Sequence, residues 1–158
     1  MIKINIPGQE NAVIIIKNAV FDMNGTLSED GIIKNDVKIL LNELSKHLDV
    51  YVVTSDTFGT AEEMVKDIHA KLFIIDGENS GVKKLEILKK LGYSGSIAVG
   101  NGFNDTEILK NAVLGIGIMG AEGLALKAAL NCDIIVGKIE DAIGLLLNPK
   151  RITATLRN

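Results

Sequence analysis

Residues 18–27, Asn18-Ala19-Val20-Phe21-Asp22-Met23-Asn24-Gly25-Thr26-Leu27, join a short apolar run to a turn that opens on a carboxylate. A bounded run of β-branched and aromatic residues of this length reads as a strand. Asp22 then falls at the strand's carboxyl end, Gly25 permits a tight turn, and the amides of that turn face inward. A carboxylate held there can attack phosphorus or bind a cation. Taken alone, the same residues also read as an ordinary Asx turn.

Downstream of Asp22, apolar runs and helical patterns alternate. Val37, Leu40, Leu41, Leu44 and Leu48 predict one helix face, with Asn35 or Asp36 as cap. Val50–Thr54 and Leu72–Ile75 read as strands buried on both faces, separated by a helix over Ala61, Met64, Val65 and Ile68. A helix through Val82, Leu85, Leu88 and Leu91 closes at Gly92. Then come a strand at Ile97–Val99, a helix at Asn104–Ala112, a strand at Leu114–Ile118, and a helix around Ala121–Leu130. A strand at Asp133–Val136 and a helix at Ile139–Leu147, stopped by Pro149, end the series. Upstream, residues 2–6 and 12–16 flank Pro7–Asn11 and predict a β-hairpin.

This order predicts an α/β fold with a doubly wound, Rossmann-like parallel sheet, helices on both faces and an N-terminal hairpin. The 158 residues suit a single domain spanning 1–158, with the hairpin in 1–17 and a basic, extended tail in 148–158. A hydrophobic fraction of 47% and a net charge of −3 exclude a disordered chain. The acidic balance and the scarcity of aromatics argue against nucleic acid as a partner. No apolar run is long enough to span a bilayer, and no signal peptide is visible, so a cytoplasmic protein without a membrane partner is expected. The lone Cys132 excludes a disulfide framework and reads as a buried thiol.

In sheets of this kind ligands sit beyond the carboxyl ends of the strands, where the strand order reverses. The polar residues falling there are Asp22, Thr54 with Ser55, Asp76, and Asn101 with Asp105. Thr54 and Ser55 put hydroxyls where a phosphate oxygen could bind, although a lone Thr at that point is more often a turn former. Lys83 and Lys84 begin a helix from which either could reach back to the strand ends. In Gly100-Asn101-Gly102-Phe103-Asn104-Asp105, two glycines let the backbone turn closely. The amide and carboxylate oxygens there suit Mg²⁺, which takes few protein ligands and keeps several waters. Asp56 and Asp76 are weaker candidates for lining the site, and His47 and His69 lack partner spacing and read as surface residues.

Asp22-Met-Asn-Gly-Thr-Leu, Val-Val-Thr54-Ser, the lysine before Leu-Glu-Ile-Leu-Lys-Lys-Leu-Gly, and Val-Gly-Asn-Gly-Phe-Asn-Asp resemble the four motifs of the haloacid dehalogenase superfamily. Val99–Val136 is similar to the phosphorylation domain of P-type ATPases, and the chain as a whole resembles small soluble P-type ATPase-like proteins. The resemblance covers roughly residues 17 to 147. It implies a Mg²⁺-dependent phosphohydrolase in which Asp22 is the nucleophile and forms an aspartyl-phosphate. Catalytic roles fall on Asp22, Asn24, Thr54 and Lys84, with Lys83 the alternative to Lys84. The implied phosphate-binding set is Met23, Asn24, Thr54, Ser55, Lys84 and Asn104, and the metal set is Asp22, Asn24, Asn101 and Asp105.

Two residues depart from that pattern. Asn24 stands where phosphatases of the superfamily carry an Asp that protonates the leaving group and later activates water. An amide cannot do this, which implies slow turnover. Asn101 stands where an Asp ligates the metal, so one negative charge is missing. Three readings follow: a slow phosphatase, a phosphate-binding or regulatory protein, and a subunit that forms a phosphoenzyme without efficient turnover. The intervals from Asp22 to Val50 and from Ser55 to Lys83 leave no room for a cap domain. A capless site either takes a large phosphorylated substrate or is closed by another subunit. Analogy with small capless phosphatases suggests a homotetramer, in which the hairpin's apolar face could pack.

Overall fold

The structure is a computed structural model that describes residues 1–8, 13–55 and 59–158. Its centre is a six-stranded parallel sheet. In chain order the strands are β3 (Asn18–Asp22), β4 (Asp49–Thr54), β5 (Lys71–Ile74), β6 (Ser96–Gly100), β7 (Leu114–Ile118) and β8 (Ile134–Val136), and across the sheet they run β5-β4-β3-β6-β7-β8. The chain winds outward from β3 through β4 to β5, crosses back, and winds the other way from β6. The order therefore reverses between β3 and β6, and the crevice at their carboxyl ends is where such sheets take ligands. Residues 9–12 and 56–58, which hold the predicted hairpin turn and Asp56, lie outside the described residues.

The period-two geometry of a strand sends alternate side chains into two cores. Ala19 and Phe21 of β3, Val50 and Val52 of β4, and Ile97 and Val99 of β6 face one side. They pack there under α1 (Asn35–Ser45) and α6 (Ile139–Leu147). Val20, Tyr51, Val53 and Ala98 face the other, under α3 (Ser80–Leu91) and α4 (Thr106–Asn111). Burial on both faces is why the central strands read as unbroken apolar runs. The hairpin pairs β1 (Ile2–Asn5) with β2 (Val13–Ile16) in antiparallel register, Ile4 opposite Ile14.

Several local expectations are corrected. Residue 34 caps α1 instead of Asn35 or Asp36, and Lys34 makes no side-chain cap bond. The strand expected at Leu72–Ile75 to be buried on both faces is the sheet's edge, with Phe73 and Ile74 exposed. Phe73 stacks on Tyr51 of β4 at 6.0 Å between ring centroids. The helix expected around Ala121–Leu130 shrinks to α5 (Leu126–Ala129), because Gly123 turns at φ +80° just before it. The helix over Ala61–Ile68 shortens to α2 (Ala61–Val65). Asn104 and Asp105 close a 3-10 turn, Phe103–Asp105, and α4 starts only after it. Cys132 is half-buried, its thiol donating to the carbonyl of Ala129 at 3.3 Å.

The tail is not extended. Pro149 both ends α6 and opens α7 (Lys150–Leu156), since a fixed φ suits the first turn of a helix. Ile152 of α7 is fully buried, and Thr153 donates its hydroxyl to the carbonyl of Asn5 at 2.7 Å. The hairpin face formed by Ile2, Ile4, Ile6 and Ile16 joins the same core, so that face packs inside this chain rather than against a neighbour. Among the described residues no helix is long and apolar enough to cross a membrane. Ile152→Ala is expected to cost about 3 kcal/mol in urea denaturation; an exposed tail would leave the midpoint unchanged.

Candidate active site

Asp22 is the last residue of β3, and Asn101 follows the last residue of β6, so the switch in strand order brings these two segments together. The helix that returns the chain from β5 to β6 is α3, and Lys84 lies one turn into it. Its ammonium donates to Asp22 Oδ1 and to Asp105 Oδ1, each at 2.6 Å. All three side chains are buried, Lys84 1% exposed and Asp105 not at all. Lys83, one residue earlier, points to the surface and pairs with the exposed Asp76. Adjacent helix residues diverge by about 100°, so only one of the two lysines can enter the site, and it is Lys84.

The other oxygen of Asp105 accepts the backbone N–H groups of Asn101 at 3.0 Å and Gly102 at 2.8 Å. This clamps the loop after β6, and a Cβ on Gly100 would stand 2.5 Å from the Asp105 carboxyl carbon, so only glycine fits there. The motif-one turn closes when Ser28 donates its N–H to the carbonyl of Met23 at 2.8 Å. Gly25 turns at φ +75°, where an L side chain is strained. Asn24 is exposed at the mouth, its side-chain oxygen accepting from the Ser28 hydroxyl at 3.4 Å. Asn101 braces two loops: Thr26 Oγ1 donates to its Oδ1 at 3.1 Å, and its Nδ2 donates to the carbonyl of Gly123 at 3.0 Å. Its side-chain oxygen is therefore already engaged once, with a single lone pair left over.

Thr54 ends β4, and its hydroxyl is buried without a hydrogen-bond partner among the described residues. An unpaired buried hydroxyl costs about 1–3 kcal/mol, a cost that an incoming oxygen ligand would relieve. Ser55 follows it, half-buried. Asn104 turns aside to donate to the Ser80 hydroxyl at 3.2 Å, which ties the 3-10 turn to the start of α3. Asp76 is drawn off by Lys83, while His47 and His69 are exposed, as expected.

The charges do not balance. Two buried carboxylates share one ammonium, leaving an unneutralised negative charge in a poorly solvated crevice. Burial, and then the facing Asp105, push Asp22 up to about 7 against the pull of Lys84. Burial alone would lower Lys84, but Asp22 and Asp105 outweigh it and hold the ammonium charged. Two carboxylates with amide and backbone oxygens beside them form the donor set that Mg²⁺ takes, so the residues fit that cation. Among the described residues no three His, Cys, Asp or Glu side chains converge as a metal cluster. Sequence reasoning missed Glu122: one carboxylate oxygen would lie 2.6 Å from a Cβ on Gly25. No local signal could have found it, because its loop reaches the site only through the β7–β6 pairing.

No protein-family model matches the sequence. An uncharacterised protein of Methanocaldococcus jannaschii is 45% identical over 91 residues, 53% of this chain and 98% of that protein. A copper-exporting P-type ATPase of Staphylococcus epidermidis is 29% identical over 152 residues; these are 94% of this chain but 18% of the pump. In structure the chain is similar to the 3-deoxy-D-manno-octulosonate 8-phosphate phosphatase of Moraxella catarrhalis, solved with magnesium, phosphate and KDO. The TM-score is 0.67 at 20% identity, covering 88% of this chain and 90% of the phosphatase. It is likewise similar to a haloacid dehalogenase-like hydrolase of Streptococcus pneumoniae, with a TM-score of 0.61 at 13% identity, covering 82% and 97% respectively. The fold is thus haloacid dehalogenase-like, as the four motifs imply. The chain belongs to the same family as the M. jannaschii protein.

Two outcomes follow from the buried triad. Lys84→Met is expected to cost about 3 kcal/mol in urea denaturation, since it strands two facing carboxylates. Lys83→Met is expected to cost less than about 1 kcal/mol; equal losses would contradict the geometry. The folded chain also keeps a proton on Asp22 that the unfolded chain releases above about pH 4. That contribution to stability is complete below the unfolded value and is lost as the pH rises through about 7. In the presence of a chelator, Tm is expected to fall between about pH 5 and 7.5, and Asp22→Asn to flatten the slope.

Proposed function

We propose that this protein is a Mg²⁺-dependent phosphohydrolase that works through an aspartyl-phosphate on Asp22. The observation that carries the reading is the Lys84 ammonium shared at 2.6 Å between Asp22 and Asp105 in the crevice of the sheet. A nucleophilic carboxylate needs a fixed direction of attack and a cationic neighbour that offsets the phosphate's charge. In the first step an Asp22 oxygen bonds to phosphorus, and the ester oxygen leaves with the bonding pair. Thr54, with its unpartnered hydroxyl, donates to a phosphoryl oxygen. Lys84 balances the charge on the phosphoryl group, and the backbone amides of Met23 and Asn24, with Ser55, complete the phosphate pocket, while Asn104 keeps its amide on Ser80. The cation would be held by Asp22, Asp105, Asn101 and the Asn24 carbonyl, and would supply Lewis-acid stabilisation of the phosphoryl oxygens.

The second step needs water to attack the aspartyl-phosphate and give up a proton. Asn24 offers an exposed amide, which neither protonates the leaving oxygen nor takes that proton. Turnover is therefore slow, by a factor on the order of 10²–10⁴ relative to a carboxylic acid at the same position. The phosphatases and hydrolases that share the fold support phosphate esters as the substrate class. Between β3 and β4 the chain holds only a loop and α1, and no further domain covers the crevice among the described residues. A large phosphorylated substrate, or closure by another copy of the chain, suits such an opening.

The exposed Asn24 favours a second reading, a phosphate-binding protein without turnover. A rapid-quench time course with p-nitrophenyl phosphate and Mg²⁺ separates the two, because this leaving group departs without a proton donor. A burst followed by slow release, absent in Asp22→Asn, is expected. Release no faster than that of Asp22→Asn, at saturating Mg²⁺, would leave the binding protein. Asn24→Asp is expected to raise turnover of alkyl phosphates by about 100-fold or more, measured as phosphate released.

A further inference from the structure

The acid missing at Asn101 has a counterpart elsewhere in the fold. After β7 the chain makes a turn over Gly120–Gly123, closed by the Gly123 N–H on the Gly120 carbonyl at 3.0 Å, with Gly123 at φ +80°. This turn lies against the motif-one turn, where a Cβ on Gly120 would stand 3.6 Å from the carbonyl oxygen of Gly25. Glu122 extends from it toward Gly25. A Cβ on Gly25 would find Glu122 Oε2 at 2.6 Å and Asn101 Nδ2 at 2.5 Å, so the two side chains converge on one point beside the turn. Glu122 has no hydrogen bond or ion pair among the described residues, so its carboxylate is uncommitted.

The amide at Asn101 helps to hold this loop in place. Its Nδ2 donates to the carbonyl of Gly123, the residue after Glu122, and its backbone carbonyl accepts the N–H of Ala125 at 2.9 Å. A carboxylate at residue 101 would turn an oxygen toward the Gly123 oxygen and repel it. Amide at 101 and acid at 122 therefore form a matched pair. The amide fastens the loop that carries the acid.

We propose that Glu122 is a metal-site residue, a carboxylate that acts through bound water on the Mg²⁺ held beside Asp22 and Asp105 and compensates for Asn101. This rests on the magnesium reading given above. Glu122 stands outside the direct ligands, since no three acidic side chains close on one point among the described residues. Mg²⁺ keeps several of its waters, and carboxylates that bind such waters set affinity by about 10- to 100-fold.

The test is calorimetric titration of Mg²⁺ alone into the full chain at fixed ionic strength. Glu122→Gln is compared with wild type and with Glu140→Gln, another carboxylate of the cleft that Gly25, Glu122 and Lys138 line. Glu122 is exposed, so its substitution leaves the fold intact, which a thermal melt checks. The expected result is a loss of about tenfold in Mg²⁺ affinity for Glu122→Gln, with Glu140→Gln within about twofold of wild type. Unchanged affinity in Glu122→Gln, or equal losses in both variants, would overturn the proposal while leaving the magnesium reading standing. A wild-type chain that binds neither Mg²⁺ nor Mn²⁺ would overturn both.

Discussion

Everything about the site depends on one ammonium group taken out of water. Lys84 sits almost wholly buried between Asp22 and Asp105, donating to each at 2.6 Å. Burying such a triad is weak evidence for stability, since the desolvation of three charges can outweigh their attraction. The fold holds it by over-determining each member. Asp22 is carried by β3, a central strand buried along its whole length, and Asp105 is clamped by the N–H groups of Asn101 and Gly102. Lys84 is carried on α3, where Ile87 and Leu88, one turn further along the same face, fill one of the two cores. Burial, and then the facing Asp105, keep Asp22 partly protonated near neutral pH, and two carboxylates sharing one ammonium favour a divalent cation.

The two amides at acid positions act differently in the structure. Asn24 lies exposed at the mouth, where its side-chain oxygen accepts from the Ser28 hydroxyl and its amide carries no acidic proton. Asn101 is structural as well as polar: it ties the motif-one turn, through Thr26, to the loop after β7, through Gly123. An amide at residue 24 keeps the shape of a carboxyl group without its acidity. At residue 101 the amide changes connectivity, because an amide both accepts and donates where a carboxylate only accepts.

Much of this was legible from residue order alone. Alternation of apolar runs with 3.6-period stretches predicts the parallel sheet, because both-face burial and crossover helices leave those two periods in the sequence. Strands β3, β4, β6 and β7 fall within a residue or two of their expected bounds, and Gly92 ends α3 as the C-terminal glycine should. Asp22, Thr54, Asn101 and Asp105 were legible for the same reason, since a strand's carboxyl end is a local feature and the switch in strand order gathers such ends together.

Other features were set by packing between distant segments. Sequence favours Lys84 but leaves Lys83 as the alternative, and the rotation of α3 against the sheet sends Lys83 to Asp76 and Lys84 to Asp22. The run Leu72–Ile75 is apolar enough for a core strand, yet it is an edge because no later strand pairs beyond it. The basic tail contains the apolar positions of a helix, and Ile152 is buried in a core that the hairpin from the other end of the chain shares. Glu122, in a loop with no motif of its own, reaches Gly25 and Asn101 across the sheet. Sequence by itself determined the periodic elements and the residues at their ends, for these depend on local geometry. Tertiary structure decided which face, which lysine and which distant carboxylate meet, because those depend on contacts between segments far apart in the chain.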